Sequence, residues 1–151
     1  MPRITAILHT RNDGPRIART IVSLRSCDEV LVMDHGSTDE TCAVARRFGA
    51  RVLTVRTETF ETRLFLADAS HDWIFCMQPT ESLSKGLEAS LLEWKLITHA
   101  TTFEVSILEE RHRREETRLV TRAHIAWDGW RLLTESRPSF LDGHLLRITF
   151  P

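Results

Sequence analysis

Short apolar runs recur through the first half of the chain, each separated from the next by a polar turn and a stretch of helical spacing. Ile4-Thr5-Ala6-Ile7-Leu8-His9 reads as a first strand. The polar loop Thr10-Arg11-Asn12-Asp13-Gly14-Pro15 follows, with Pro15 suited to the first turn of a helix. Over Arg16 to Leu24 the apolar residues Ile17, Ile21 and Leu24 fall at helical spacing. Val30-Leu31-Val32-Met33 is an apolar run of the kind a strand buried on both faces shows, and it ends at Asp34. Gly36 allows a tight turn there. Ser37 or Thr38 then caps a helix expected to begin near Asp39, run through Ala43–Phe48 and stop at Gly49. Arg51–Val55 is a third strand, Phe60–Ala69 a helix, Asp72–Met77 a fourth strand and Leu83–Ile97 a further helix.

Strands alternating with helices over Ile4 to Ile97 predict an α/β fold, with a mainly parallel sheet and helices on both faces. The pattern then changes. Thr101–Leu108 and Thr117–Arg122 are β-like and flank the charged block Glu109–Glu116, which reads as a solvated hairpin tip. Trp127-Asp128-Gly129-Trp130 reads as a loop and Leu145–Phe150 as a last strand, so the C-terminal third is β-rich.

Composition narrows the class. At 151 residues, 42% hydrophobic and 27% charged, the chain has the make-up of one soluble globular domain with a real core. A net charge of −1 argues against a nucleic-acid partner, which would require a basic excess. The apolar runs are short and interrupted near the N-terminus by Arg3, Arg11 and Arg16, which predicts neither a signal peptide nor a membrane span. Cys27, Cys42 and Cys76 are scattered and lack metal-ligand spacing. Reduced, buried thiols in a cytoplasmic protein are the expectation.

The candidate chemistry gathers at Asp34. Ligands of open parallel sheets bind beyond the carboxyl ends of strands, which is where this carboxylate stands. Asp is also a common turn residue after a strand, and from spacing alone the two readings are level. A phosphoacceptor receiver domain would also place an Asp after a buried strand, but no acidic pair follows the first strand here.

Several segments, taken in order, point to one family. They are Ile7-Leu8-His9-Thr10-Arg11-Asn12-Asp13, the run Asp28 to Thr41, Ala45 to Val52, and Asp72 to Met77. The likeness returns at Arg118-Leu119-Val120-Thr121-Arg122, Trp127-Asp128-Gly129 and Leu141 to Arg147. The chain thereby resembles a family 2 glycosyltransferase with the nucleotide-binding fold called GT-A, and the bacterial subgroup that transfers sugars onto lipopolysaccharide cores. The resemblance implies a single domain over residues 1–151, with a nucleotide-binding α/β part at 1–98 and a trimmed acceptor-side part at 99–151. It implies a UDP- or GDP-linked sugar donor and a glycan or lipopolysaccharide-type acceptor, lipid-linked and so reached at a membrane surface. By the same resemblance Asp34 contacts the base or ribose, while Thr10, Arg11 and Asn12 line the same pocket with Gly36 and Gln78 at its edge. A carboxylate and a neighbouring loop can hydrogen-bond a base edge and ribose hydroxyls, and Arg11 would stand near phosphates.

The chain departs from the family where the family holds metal. Its Asp-x-Asp motif binds Mg²⁺ or Mn²⁺ on the sugar diphosphate, and here the matching run is Met77-Gln78-Pro79-Thr80-Glu81. Gln78 and Thr80 replace both aspartates, so no metal ligand is assigned and Mg²⁺ or Mn²⁺ stays open as a cofactor. Glu81 is expected to cap the next helix. The family's His-Glu corresponds to Thr134-Glu135, which makes Glu135 the candidate general base for an acceptor hydroxyl. Its late His corresponds to Arg147, or to His144 in a shifted register. Two functions follow. One is a working glycosyltransferase whose diphosphate is neutralised by Arg11, Arg63 or other basic groups. The other is a metal-free pseudoenzyme acting as a nucleotide- or partner-binding module.

Overall fold

A computed structural model describes residues 2–56, 66–96, 102–109, 112–122, 126–128, 131–133 and 139–147. Its elements run β1 (Ile4–Thr10), α1 (Gly14–Ser23), β2 (Glu29–Asp34), α2 (Thr41–Arg47), β3 (Arg51–Thr54), β4 (Trp73–Met77), β5 (Glu81–Leu83) and α3 (Lys85–Trp94). They continue with β6 (Thr102–Glu109), β7 (His112–Thr121), β8 (Ala126–Asp128), β9 (Arg131–Leu133) and β10 (Ser139–Arg147).

The main sheet is ordered β3-β2-β1-β4-β7-β6-β10-β5. Neighbours from β3 to β4 are parallel, as are β6 and β10, whereas β7 runs antiparallel to β4 and β6, and β5 antiparallel to β10. The α/β alternation thus builds a parallel core, and the β-rich third extends the same sheet instead of forming another layer.

The apolar runs are buried on both faces, and their alternate residues separate cleanly. Ile4, Ala6 and Leu8, with Val32, Trp73 and Phe75, pack beneath Ile17 and Ile21 of α1, Ala45 of α2, and Leu87, Leu91 and Trp94 of α3. Ile7, Leu31, Met33 and Ile74 point the other way and pack with Val55 and Ala69. All three described helices therefore share one face. The helix expected over Phe60–Ala69, which would cover the other, falls mostly outside the described residues; 66–68 form a single 3₁₀ turn. Among the described residues no helix is long and apolar enough to cross a membrane.

Five expectations are corrected. Leu83 does not open the fourth expected helix: Glu81–Leu83 is a strand, and α3 starts at Lys85 with Ser84 Oγ accepting the Leu87 amide at 3.2 Å. Neither Ser37 nor Thr38 caps α2, whose N-cap is Glu40 with no side-chain bond, because both are engaged in the turn described below. The charged block is mostly strand and only its start is hairpin end: Glu109 pairs with His112, and Arg113, Arg114, Glu115 and Glu116 pair across to Leu108, Ile107, Ser106 and Val105 within the ladder. The Trp127 region is a two-stranded ribbon in which Trp127 pairs with Leu132, and the last strand begins at Ser139 rather than Leu145.

The last strand carries a bulge between Phe140 and His144 that brings it against the start of α3. Gly143 sits there at φ 95°, and a Cβ on it would lie 2.1 Å from the Leu87 nitrogen. Only glycine fits.

Candidate functional site

Sheet order reverses between β1 and β4: the chain goes outward from β1 to β2 and β3, then returns to β4 on the opposite side. The carboxyl ends on either side of such a switch point form a natural ligand crevice. Thr10 pairs with Asp34, and Leu8 with Met77, so Asn12, Asp34 and Gln78 all emerge at one rim of the sheet.

Asp34 is 3% exposed. Its carboxylate accepts the Ser37 amide at 3.1 Å and also takes the Ser37 hydroxyl. Ser37 Oγ in turn accepts the Asn12 amide at 2.9 Å. Asn12 Oδ1 accepts the Thr38 amide at 2.7 Å. The two loops at the switch point are thereby knitted together. Asn12 holds φ 55°, a left-handed conformation that Asn tolerates better than most residues. Gly36, at φ 83° and exposed, makes the turn between Asp34 and Ser37; a Cβ there would meet open space, so it is the backbone conformation that favours glycine.

The remaining expected site residues divide. Thr10 is buried and donates its hydroxyl to Asp13 Oδ2 at 2.7 Å, so it supports the loop from within. Arg11 is exposed, its amide donating to Asp13, and its guanidinium has no ion pair among the described residues. Asp13, which sequence reasoning passed over, is the hub beneath: it also pairs with Arg16 at 3.1 Å, and its amide donates to Thr41 Oγ1. Its signal was local, an acidic residue two positions ahead of Pro15 at a helix start. Glu135 and Arg63 lie outside the described residues.

Gln78-Pro79-Thr80-Glu81 closes as a β-turn, with the Glu81 amide donating to Gln78 O at 3.0 Å and Pro79 at its second position. Thr20 of α1 fixes this turn by donating to the carbonyls of Pro79 and Glu81. Glu81 is no helix cap. Its carboxylate is fully buried and accepts Arg118 through two bonds of 2.8 and 2.9 Å, Arg147 Nη2 at 2.8 Å and the Gln78 amide at 3.0 Å. Burial pushes the Glu81 carboxyl up, but the Arg118 charge and its hydrogen bonds outweigh this and hold it below the usual range. Arg118 is raised: burial opposes its charge, and Glu81 more than compensates. These partners are 37 and 66 residues away in sequence, so no local pattern announces them.

These residues do not fit a divalent cation. The Gln78 side-chain oxygen Oε1 accepts Arg147 Nη2 at 3.2 Å, and both Glu81 oxygens are taken by arginines. Among the described residues no three His, Cys, Asp or Glu side chains stand together as a metal would need.

On the opposite face of β1, His9 Nδ1 meets His35 Nε2 at 2.8 Å with the rings tilted. Burial, then the neighbouring His35, lowers His9 to about 4, so its ring is neutral at neutral pH. The thiols of Cys27 and Cys76 are pushed up to about 12 by burial, and Cys42 is raised by burial and by Asp34 beside it. All three are free thiols of intermediate burial. A hollow of about 370 Å³ opens at the amino end of β2, beside Cys27, Asp28, Val30 and Phe48, on the far edge from the switch point.

The fold recurs in known structures. The crystal structure of Staphylococcus aureus TarS residues 1–349 in complex with UDP-GlcNAc superposes with a TM-score of 0.62 at 17% identity, over 74% of this chain and 36% of that one. The fold is GT-A. Mycobacterium tuberculosis glucosyl-3-phosphoglycerate synthase, solved with Mn²⁺, UDP and glucosyl-3-phosphoglycerate, shares this GT-A architecture with a TM-score of 0.57, 22% identity, and coverage of 73% and 45%. In sequence, the chain is 38% identical over 95 residues to an uncharacterized glycosyltransferase of Rickettsia felis, covering 58% of this chain and 32% of the relative. The chain thus spans about a third of the length of the curated relatives it matches. No protein-family model matches it.

Proposed function

We propose that this chain binds a nucleotide-sugar across the carboxyl ends of β2, β1 and β4 and acts as a family 2-type glycosyltransferase. The observation that carries this is the buried Asp34 carboxylate, joined through Ser37 to Asn12 at the switch point of a GT-A sheet. Asp34 is placed to take base or ribose hydrogen bonds, and the exposed Arg11 stands beside it for phosphate. The relatives' names and the nucleotides bound by the fold neighbours support a UDP-linked donor, with GDP as the alternative base. Residues 99–151 form the acceptor side in this reading. Glu135 is the base that deprotonates an acceptor hydroxyl in an inverting displacement. The acceptor is a glycan of lipopolysaccharide type, lipid-linked and met at the cytoplasmic membrane surface.

The test is calorimetric titration with UDP, GDP and their sugars, followed by donor turnover in parent and Glu135→Gln. Expected are saturable binding of one nucleotide and a fall in turnover of about 10²- to 10⁴-fold in Glu135→Gln at unchanged donor affinity. Absence of binding by every nucleotide would overturn the reading.

A second reading is favoured by Gln78 and Thr80 standing where the resemblance expects two carboxylates. In it the chain is a catalytically inactive module that keeps the nucleotide site. Saturable donor binding with no hydrolysis or transfer, in parent and Glu135→Gln alike, selects this second reading.

A further inference from the structure

We infer that Arg147 takes the place of a metal ion at this site and, with Arg11, meets the donor diphosphate. This rests on the nucleotide-sugar reading above and adds which group joins Arg11 in neutralising the phosphates.

β6 and β10 run parallel to each other, and β7 between β4 and β6 is antiparallel to both, so the carboxyl ends of β10 and β6 face the same rim as those of β1 and β4. Arg147 ends β10 at that rim. Its Nη2 bonds Glu81 at 2.8 Å and Gln78 at 3.2 Å, which fixes the guanidinium against the residue that aligns with the first aspartate of the metal motif. Arg118 is matched twice over, by two bonds to Glu81 and by Glu116 at 2.9 Å, whereas Arg147 reaches Glu81 through one bond, so its charge is the less fully matched of the two.

Its other partner is loose. Glu109 lies 3.5 Å from Nη1 and its side chain is 30% exposed, so an incoming phosphate can displace it. Nε has no partner among the described residues. A guanidinium has five N–H donors in a planar fork, and those left over suit two phosphate oxygens. A divalent ion at Gln78 would instead face this fixed positive charge, which explains chemically why an amide and a hydroxyl suffice at Gln78 and Thr80.

The experiment titrates the full chain with UDP and uridine, and with GDP and guanosine, in EDTA and in Mn²⁺. In Arg147→Gln, diphosphate affinity is expected to fall about 10- to 100-fold while nucleoside affinity stays within about twofold, and Arg147→Lys should recover part of the loss. Mn²⁺ should change the parent's affinity by less than about tenfold. The double change Gln78→Asp with Thr80→Asp should gain no Mn²⁺ response while Arg147 is present, because the new carboxylate pairs with it, and should gain one once Arg147→Gln is added. Equal losses of UDP and uridine in Arg147→Gln would show a structural role and overturn the inference alone. So would strong Mn²⁺ dependence in the parent. Should Arg147→Gln fail to fold, Gln78→Asp in EDTA decides, since neutralising Arg147 must weaken UDP and unchanged affinity overturns the inference. If no nucleotide or nucleoside binds the parent, the nucleotide-sugar reading falls and this falls with it.

Discussion

Asn12 Oδ1 accepts the Thr38 amide at 2.7 Å across the switch point, binding the loop after β1 to the loop after β2. The bond needs Asn12 in its left-handed conformation. Asn12→Gly keeps that backbone but loses the acceptor, and Asn12→Ala loses the acceptor and adds about 1–2 kcal/mol of backbone strain. The expected order of melting temperature is parent, then Gly, then Ala. A glycine variant as unstable as the alanine variant would show that conformation is not the constraint.

Asp34 serves its own turn through Ser37, and ligand binding is the further role proposed for it. The two roles separate by substitution. Asp34→Asn keeps an acceptor for Ser37 and removes the charge, so nucleotide affinity should fall by about 1–3 kcal/mol with little change in melting. Asp34→Ala should also destabilise the fold, because the partly buried Ser37 donors lose their partner. Parent-like titration curves for Asp34→Asn would confine Asp34 to the turn.

What the sequence made legible is what repeats locally. Val30–Met33 and Ile74–Met77 are central strands, and their continuous apolar character reflects burial on both faces, with Val32 and Leu31 in different clusters. Ile17, Ile21 and Leu24 marked α1 because one face of that helix is buried. The Asp34 turn was readable from Gly36. Glu81 was misread because its partners are distant and β5 is too short for any periodicity to show. The tip was drawn too long, taking in Arg113–Glu116, because exposed strand residues such as Arg113 and Glu115 carry charge without breaking the ladder.

Glu81 is the group whose loss should cost most. Glu81→Gln keeps the shape of the side chain but removes the fully buried counter-charge of Arg118, which is only 6% exposed, and leaves it the part-exposed Glu116. Breaking a buried pair by removing one partner costs about 3–5 kcal/mol. Urea unfolding should show a fall of that order, and a variant within about 1 kcal/mol of the parent would mean Glu116 and solvent suffice for Arg118.

His9 should make the fold acid-sensitive in a defined window. Burial and the neighbouring His35 lower it from 6.5 to about 4 in the folded state, whereas the unfolded chain protonates it near its ordinary value. Between those two values the unfolded state binds more protons, so stability rises with pH across the window and is lost as pH falls through it. The full effect is up to roughly 3 kcal/mol. Glu81 acts lower: its depressed carboxyl contributes above its unfolded value of 4.5 and is lost as pH falls through its folded one. Stability measured from pH 6.5 down to 4.5 therefore reports mainly on His9. His9→Asn, which cannot titrate, should flatten that slope while leaving the loss below pH 4.5 in place. An unchanged slope in His9→Asn would assign the acid sensitivity to another group and leave the His9–His35 pair a packing contact only.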